Sequence, residues 1–205
     1  MGIYREQVLP RVIDKVCGGA DMQRFRDRAC AGLHGTVVEI GFGSGLNVAS
    51  YPSEVDLVYA VEPAALGQKL AAPRIARGQA RVEHVGLRGE ALPLADESCD
   101  GALSTFTLCT IPDVAQALAE VVRVLRPGGR FHILEHGIAP DAGVARWQHR
   151  LDPIQQVVGG GCHLTRDPLA LLRGAGFEIV QSDQRYVAGP KPWTFMTRAV
   201  ARKPT

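Results

Sequence analysis

The sequence predicts an α/β fold: one doubly wound sheet, mostly parallel, with helices on both faces and an antiparallel hairpin at its C-terminal edge. Three observations predict it. Short β-branched runs alternate with helix-spaced apolar stripes through the middle of the chain. The first of these runs stops at a glycine cluster, as a buried parallel strand does. Two alternating stretches, Phe177 to Ser182 and Thr194 to Ala201, close the chain and read as antiparallel edge strands. At 205 residues the length suits a single domain, 1–205, since two would leave each core small.

Residues 1–34 read as a helical cap. Met22, Phe25, Ala29 and Leu33 fall at helical spacing, and Pro10 and Gly18-Gly19 break the region into short pieces. Thr36 to Ile40 is the first strand, and a helix is expected from about Leu46. Further strands are expected at Leu57 to Val61, Ala80 to Val85, Gly101 to Ser104 and Arg130 to Leu134. The clearest helix runs from about Pro112 to Leu125, with Val114, Leu118, Val121, Val122 and Leu125 on one stripe and Pro127-Gly128-Gly129 ending it. Asp167-Pro168 reads as the cap and first turn of a last helix. Residues 137–166 read as a long insertion between the fifth strand and that helix, rich in Gly159-Gly160-Gly161.

The composition is 46% hydrophobic and 21% charged, which excludes a disordered chain. A net charge of +2, with no run of like charges, gives no field that argues for nucleic acid. Five cysteines (17, 30, 99, 109 and 162), odd in number and irregularly spaced, point to reduced thiols and a cytoplasmic setting. The charged N-terminus lacks a signal peptide's apolar stretch, and no segment approaches about 18 consecutive apolar residues, so no membrane span is expected. The oligomeric state is not legible.

Glu39-Ile40-Gly41-Phe42-Gly43-Ser44-Gly45 lies at the carboxyl end of the first strand, where doubly wound sheets bind ligands. Glycines there let a ligand lie against the backbone. Glu62 ends the next strand, where a carboxylate can grip a ribose diol. The spacing is G-x-G-x-G. A dinucleotide fingerprint would set its third glycine further on, so a ligand without pyrophosphate fits better, although a nicotinamide dehydrogenase stays open for this stretch alone.

The run Val37 to Gly45 resembles motif I of the class I S-adenosylmethionine-dependent methyltransferases, and Val61-Glu62-Pro63 resembles their ribose-binding acid and its neighbour. Gly89-Glu90-Ala91-Leu92-Pro93-Leu94, followed by Asp100, is similar to the adenine-side segment of the ubiquinone/menaquinone-biosynthesis type. Leu125 to Arg130 resembles the turn before their fifth strand. A narrower resemblance, to the methyltransferase-like thiol methyltransferase subgroup, rests on Asn47, Tyr51-Pro52, Leu134-Glu135-His136, Trp147-Gln148, Leu151-Asp152-Pro153 and Gly161 to Asp167. The resemblance implies a Rossmann-like fold and S-adenosylmethionine as cofactor, leaving S-adenosylhomocysteine as product. It places Glu39, Gly41, Gly43, Ser44, Gly45, Asn47, Glu62, Pro63, Gly89, Glu90, Ala91, Thr105 and Thr107 on that cofactor. One departure stands out: Arg88 occupies a position where relatives usually carry an acid, which leaves backbone groups to hold the adenine.

Methyl transfer from a sulfonium needs alignment and exclusion of water more than any particular side chain. His136, at the end of the fifth strand, is the expected base or acceptor-orienting residue, while His132 on the same strand face suits a buried, hydrogen-bonded role. Tyr4, Leu108, Trp147, Cys162 and His163 are the substrate-side candidates. No metal is expected, because adjacent Cys162 and His163 cannot share a tetrahedral site and no second pair is visible. The favoured partner is a small-molecule thiol. Methylation of nitrogen or carbon in a quinone, lipid or heterocycle, and a non-enzymatic cofactor-binding protein, are the alternatives.

Overall fold

The computed structural model describes residues 2, 4–86 and 88–205. A π-helical turn over Tyr4–Val8 leads into α1 (Leu9–Cys17) and α2 (Ala20–Cys30), followed by β1 (Gly35–Ile40) and β2 (Val55–Val61). Then come α3 (Ala65–Ile75), β3 (Arg81–Gly86), β4 (Cys99–Thr105), α4 (Val114–Val124) and β5 (Leu125–His136). The chain closes with α5 (Ala142–Val158), α6 (Pro168–Gly174), β6 (Glu178–Tyr186), α7 (Lys191–Thr194) and β7 (Phe195–Arg202).

The seven strands lie in the order β3-β2-β1-β4-β5-β7-β6. β1 runs parallel to β2 and β4, pairing Glu39 with Ala60 on one side and with Leu103 on the other. β7 is antiparallel to both β5 and β6. Of the two closing strands, only β6 is at the edge; β7 is inserted beside β5, and its burial on both faces explains why it holds the more apolar residues.

Helices cover both faces. On one, Leu118, Val121 and Val124 of α4 and Leu172 of α6 pack on Phe131 and Ile133 of β5. Each fully buried side chain of this kind contributes about 1.5–3 kcal/mol, so the stripe fixes α4 more firmly than its intrinsic propensity does. On the other face, Cys30 and Leu33 meet Val37, Val58 and Leu103, with Ala71 of α3 beside them. Asp113 caps α4 through Gln116 N, and Asp167 caps α6 through Leu169 N and Ala170 N, ahead of Pro168 as the sequence indicates.

Two expectations are corrected. No α-helix follows the glycine cluster; the chain makes only a 3-10 turn, Val48–Ser50. Pro52 forces Tyr51 into extended backbone, and so the turn cannot propagate. Residues 137–166 are not a loop, because α5 occupies seventeen of them. Its pattern is inverted: Trp147, Ile154 and Val157 face outward while Gln148 and Asp152 are buried. Gln148 bonds Ala139 N, Gly137 O and Pro192 O, which pins this helix to the strand end through polar contacts. Among the described residues no helix is long and apolar enough to cross a membrane.

Candidate cofactor and acceptor site

A cavity of about 620 Å³ opens at the carboxyl ends of β1, β2 and β4, where the strand order reverses. Its floor is the glycine loop. The amides of Gly41 and Phe42 both donate to Val61 O, which turns the chain across the end of β2. Gly41 has φ +74°, and a Cβ there would stand 1.9 Å from Thr107 Oγ1, so only glycine permits the approach of the segment after β4. Gly89 is tight for a second reason: a Cβ would lie 2.8 Å from Ile40, over which its segment crosses.

Glu62 lies in the wall, 7% exposed. Gly43 N donates to one of its oxygens and Ala64 N to the other, both at 2.7 Å. Burial pushes its carboxyl upward and these two amides pull it back. Each oxygen accepts one of these bonds and keeps capacity for another, which suits a vicinal diol.

Opposite lies Arg26 of α2. The buried face of that helix is Arg26, Ala29 and Cys30, not Met22 and Phe25. Arg26 Nη1 donates to Asn47 Oδ1 at 2.7 Å and to Thr105 Oγ1 at 2.8 Å, while its Nε has no partner. The guanidinium also lies 5.4 Å from the Phe106 ring centroid. Phe106 has φ +55°, a left-handed conformation costly for an aromatic residue. Glu135, fully buried, holds this segment by accepting from Ser104 Oγ, Thr107 N and Leu108 N.

Beyond Thr110 and Gly159 in the wall, three side chains converge. His136 Nε2 is 3.1 Å from Cys162 Sγ, and Cys109 Sγ is 3.6 Å from the same sulfur. The neighbouring Cys109 thiol and the His136 ring hold Cys162 well below an ordinary thiol, at about 4. The hydrogen bond toward Cys162 and burial push Cys109 up. Burial pulls His136 down, but the contact with Cys162 outweighs it.

Residues 38–133 match the family model described as a methyltransferase domain. Thiol S-methyltransferase TMT1A of Homo sapiens is 32% identical over 198 residues, covering 93% of this chain and 76% of that protein. Thiol S-methyltransferase TMT1B of Rattus norvegicus is 34% identical over 154 residues, but those span only 61% of its length. A solved S-adenosylmethionine-dependent methyltransferase from Methanosarcina mazei superposes with TM-score 0.63 at 21% identity, over 86% of this chain and 96% of that one. The chain belongs to the class I S-adenosylmethionine-dependent methyltransferases.

In this methyltransferase ten of the expected cofactor residues line the cavity: Gly41, Gly43, Ser44, Asn47, Glu62, Pro63, Gly89, Glu90, Thr105 and Thr107. Glu39, Gly45 and Ala91 do not. Glu39 lies behind the loop, wholly buried, and binds Asn47 Nδ2 and Tyr51 OH; burial raises its carboxyl to about 7 against those two bonds. The substrate-side expectations fare differently, since none of those side chains lines the cavity. Tyr4 donates to Val158 O at 2.6 Å, Leu108 is in the core, and Trp147 is exposed beside Arg150 on α5. His163 turns to Asp152 at 3.4 Å. His136 faces Cys162 rather than the cavity, so it is not placed to take a proton from an acceptor directly. His132 is buried and bonded to Ala29 O at 2.7 Å, in the structural role expected of it.

Leu9 and Ile13 of α1 form the cavity's roof, and α1 buries none of its own residues. Asp14 holds the roof down, accepting from Ser44 Oγ at 2.5 Å and pairing with Arg74 at 2.8 Å. No sequence signal marked this tether, because Asp14 and Arg74 are far apart in the chain and ordinary in type.

Proposed function

We propose that this chain transfers a methyl group from S-adenosylmethionine to the sulfur of a small, partly apolar thiol. The observation that carries this reading is the likeness to human thiol S-methyltransferase TMT1A across 93% of the chain. The walls support it: Leu9, Ile13, Phe106 and Ile111 give the cavity an apolar side suited to an acceptor with little charge.

The cofactor, when bound, supplies an already activated methyl sulfonium. This chain's residues do the holding. Glu62, whose oxygens each keep capacity for a further bond, would accept from the ribose hydroxyls. Arg26, its charge held in place by Asn47 and Thr105, would pair with the carboxylate of the amino-acid tail. Glu90 and the backbone around Gly89 bound the adenine side. The roof of α1 excludes water while the acceptor sulfur is aligned. Five free cysteines suit a reducing compartment, and the cytoplasm is the setting proposed.

Turnover across a panel of alkyl and aryl thiols, matched with alcohols, amines and quinols of the same skeletons, tests the acceptor. Thioethers should form from the thiols alone. Methylation of quinols or amines with thiols untouched would end the thiol reading.

A further inference from the structure

Cys109 follows β4, His136 ends β5, and Cys162 precedes α6. Three separate segments thus deliver two thiols and an imidazole to one point, where one donor atom of each lies within 4.8 Å of the others. Methyl transfer as derived above uses none of the three. Thiols are weak hydrogen-bond partners, so mutual hydrogen bonding is a poor reason for the fold to bury this trio together.

The spacing has a better reading. With zinc–sulfur bonds near 2.3 Å and zinc–nitrogen bonds near 2.0–2.1 Å, a tetrahedral site sets two sulfurs about 3.8 Å apart and a sulfur and nitrogen about 3.6 Å apart. The pair Cys109–Cys162 stands at 3.6 Å and His136–Cys162 at 3.1 Å, within a small adjustment of that frame. The expectation of no metal looked for ligands beside Cys162 in the sequence. The neighbour, His163, points to Asp152 instead, and the fold brings Cys109 and His136 from distant segments.

We propose that Cys109, His136 and Cys162 bind one thiophilic divalent cation of the zinc class, leaving its fourth position open. Two sulfurs and an imidazole select such a cation over magnesium or calcium, which take oxygen donors. Three protein ligands, not four, are the pattern of a site that keeps a place for an exchangeable ligand. Thr110, Gly159 and Gly160 line the main cavity while their near neighbours in the chain, Cys109 and Cys162, do not, and Cys162 N is bonded to Gly159 O. Since Cys109, His136 and Cys162 do not line the cofactor cavity, the ligand for the open position is an exchangeable soft anion such as a small thiolate, distinct from the acceptor aligned with the methyl group.

The test is a titration of reduced, metal-free protein with Co²⁺ as a spectroscopic stand-in for Zn²⁺. One equivalent should give thiolate-to-cobalt charge transfer and intense tetrahedral bands, bleached by Zn²⁺ and shifted by a small alkyl thiol. Cys109→Ser and Cys162→Ser should each weaken binding beyond the 10–100-fold that loss of an outer-shell partner costs. Cys30→Ser, in the opposite core, should leave it unchanged. S-adenosylhomocysteine binding checks that each variant folds, and X-ray absorption of the zinc-loaded wild type should find two sulfurs and an imidazole nitrogen without any variant. Absence of the bands from wild type, or their survival in both ligand variants, overturns the site. Bands that ignore added thiol overturn the open position. A thiol shift without turnover of any thiol would instead fail the acceptor reading and leave the metal site standing.

Discussion

Arg26 donates from Nη1 to Asn47 Oδ1 at 2.7 Å, a buried bond that joins α2 to the turn after the glycine loop. A charge-assisted bond of this kind is worth about 1.5–3 kcal/mol, and lysine lacks the planar guanidinium that reaches Asn47 and Thr105 from one nitrogen while lying against the Phe106 ring. Arg26→Lys should therefore weaken S-adenosylhomocysteine binding by about tenfold to a hundredfold. Methylthioadenosine, which lacks the amino-acid tail, should lose much less. Calorimetry with both ligands reads the difference, and equal losses would remove Arg26 from the tail's contacts.

The tether of α1 is weaker, because Asp14 and Arg74 keep 25% and 35% of their side chains in water. Such a pair contributes on the order of 1 kcal/mol or less. Asp14→Asn should leave the melting temperature nearly unchanged while amide exchange over Leu9–Cys17 accelerates and the cofactor product dissociates faster. A large fall in melting temperature, with unchanged exchange in α1, would show that Asp14 serves the core instead.

Glu39 makes stability depend on pH. Its carboxyl titrates near 7 in the folded chain against an ordinary 4.5, because burial disfavours the charge more than Tyr51 and Asn47 support it. An acid raised on folding contributes stability in full below its unfolded value, and that contribution is lost as pH rises through the folded one. Relative to Glu39→Gln, the wild type should lose stability between about pH 4.5 and 7, by on the order of 3 kcal/mol. Denaturant unfolding of both proteins across that window checks it; parallel curves would contradict it.

The sheet was legible because its signals are local. β1 is a β-branched run ended by glycine, β2 an apolar run ended by an acid, and Gly41, Gly43 and Glu62 carry the cofactor signature in a single stretch. Arg26 was hidden by its type, although it falls at helical spacing with Ala29, Cys30 and Leu33, and that stripe was the available clue. The helix within 137–166 was hidden because it buries Gln148 and Asp152 and exposes Trp147 and Val157, reversing the usual pattern. The cluster of Cys109, His136 and Cys162 left no trace in spacing at all, since its members meet only when the ends of β4 and β5 are brought against the segment between α5 and α6. Tyr4, Trp147 and His163, the expected substrate contacts, do not line the cavity: Tyr4 donates to Val158 O, Trp147 is exposed beside Arg150 and His163 turns to Asp152.

The central claim is that the cavity beside Glu62 holds S-adenosylmethionine, and thermal stabilisation by its product tests that most directly. A ligand that binds only the folded state stabilises it by RT ln(1 + [L]/Kd), about 2.7 kcal/mol at a hundredfold excess over Kd. S-adenosylhomocysteine should raise the melting temperature of the wild type while NAD leaves it unchanged. Glu62→Ala should weaken that binding by about 2–3 kcal/mol, since the ribose hydroxyls lose a buried charged acceptor. Equal stabilisation by NAD, or a Glu62→Ala variant that binds the product as tightly as wild type, would contradict the account.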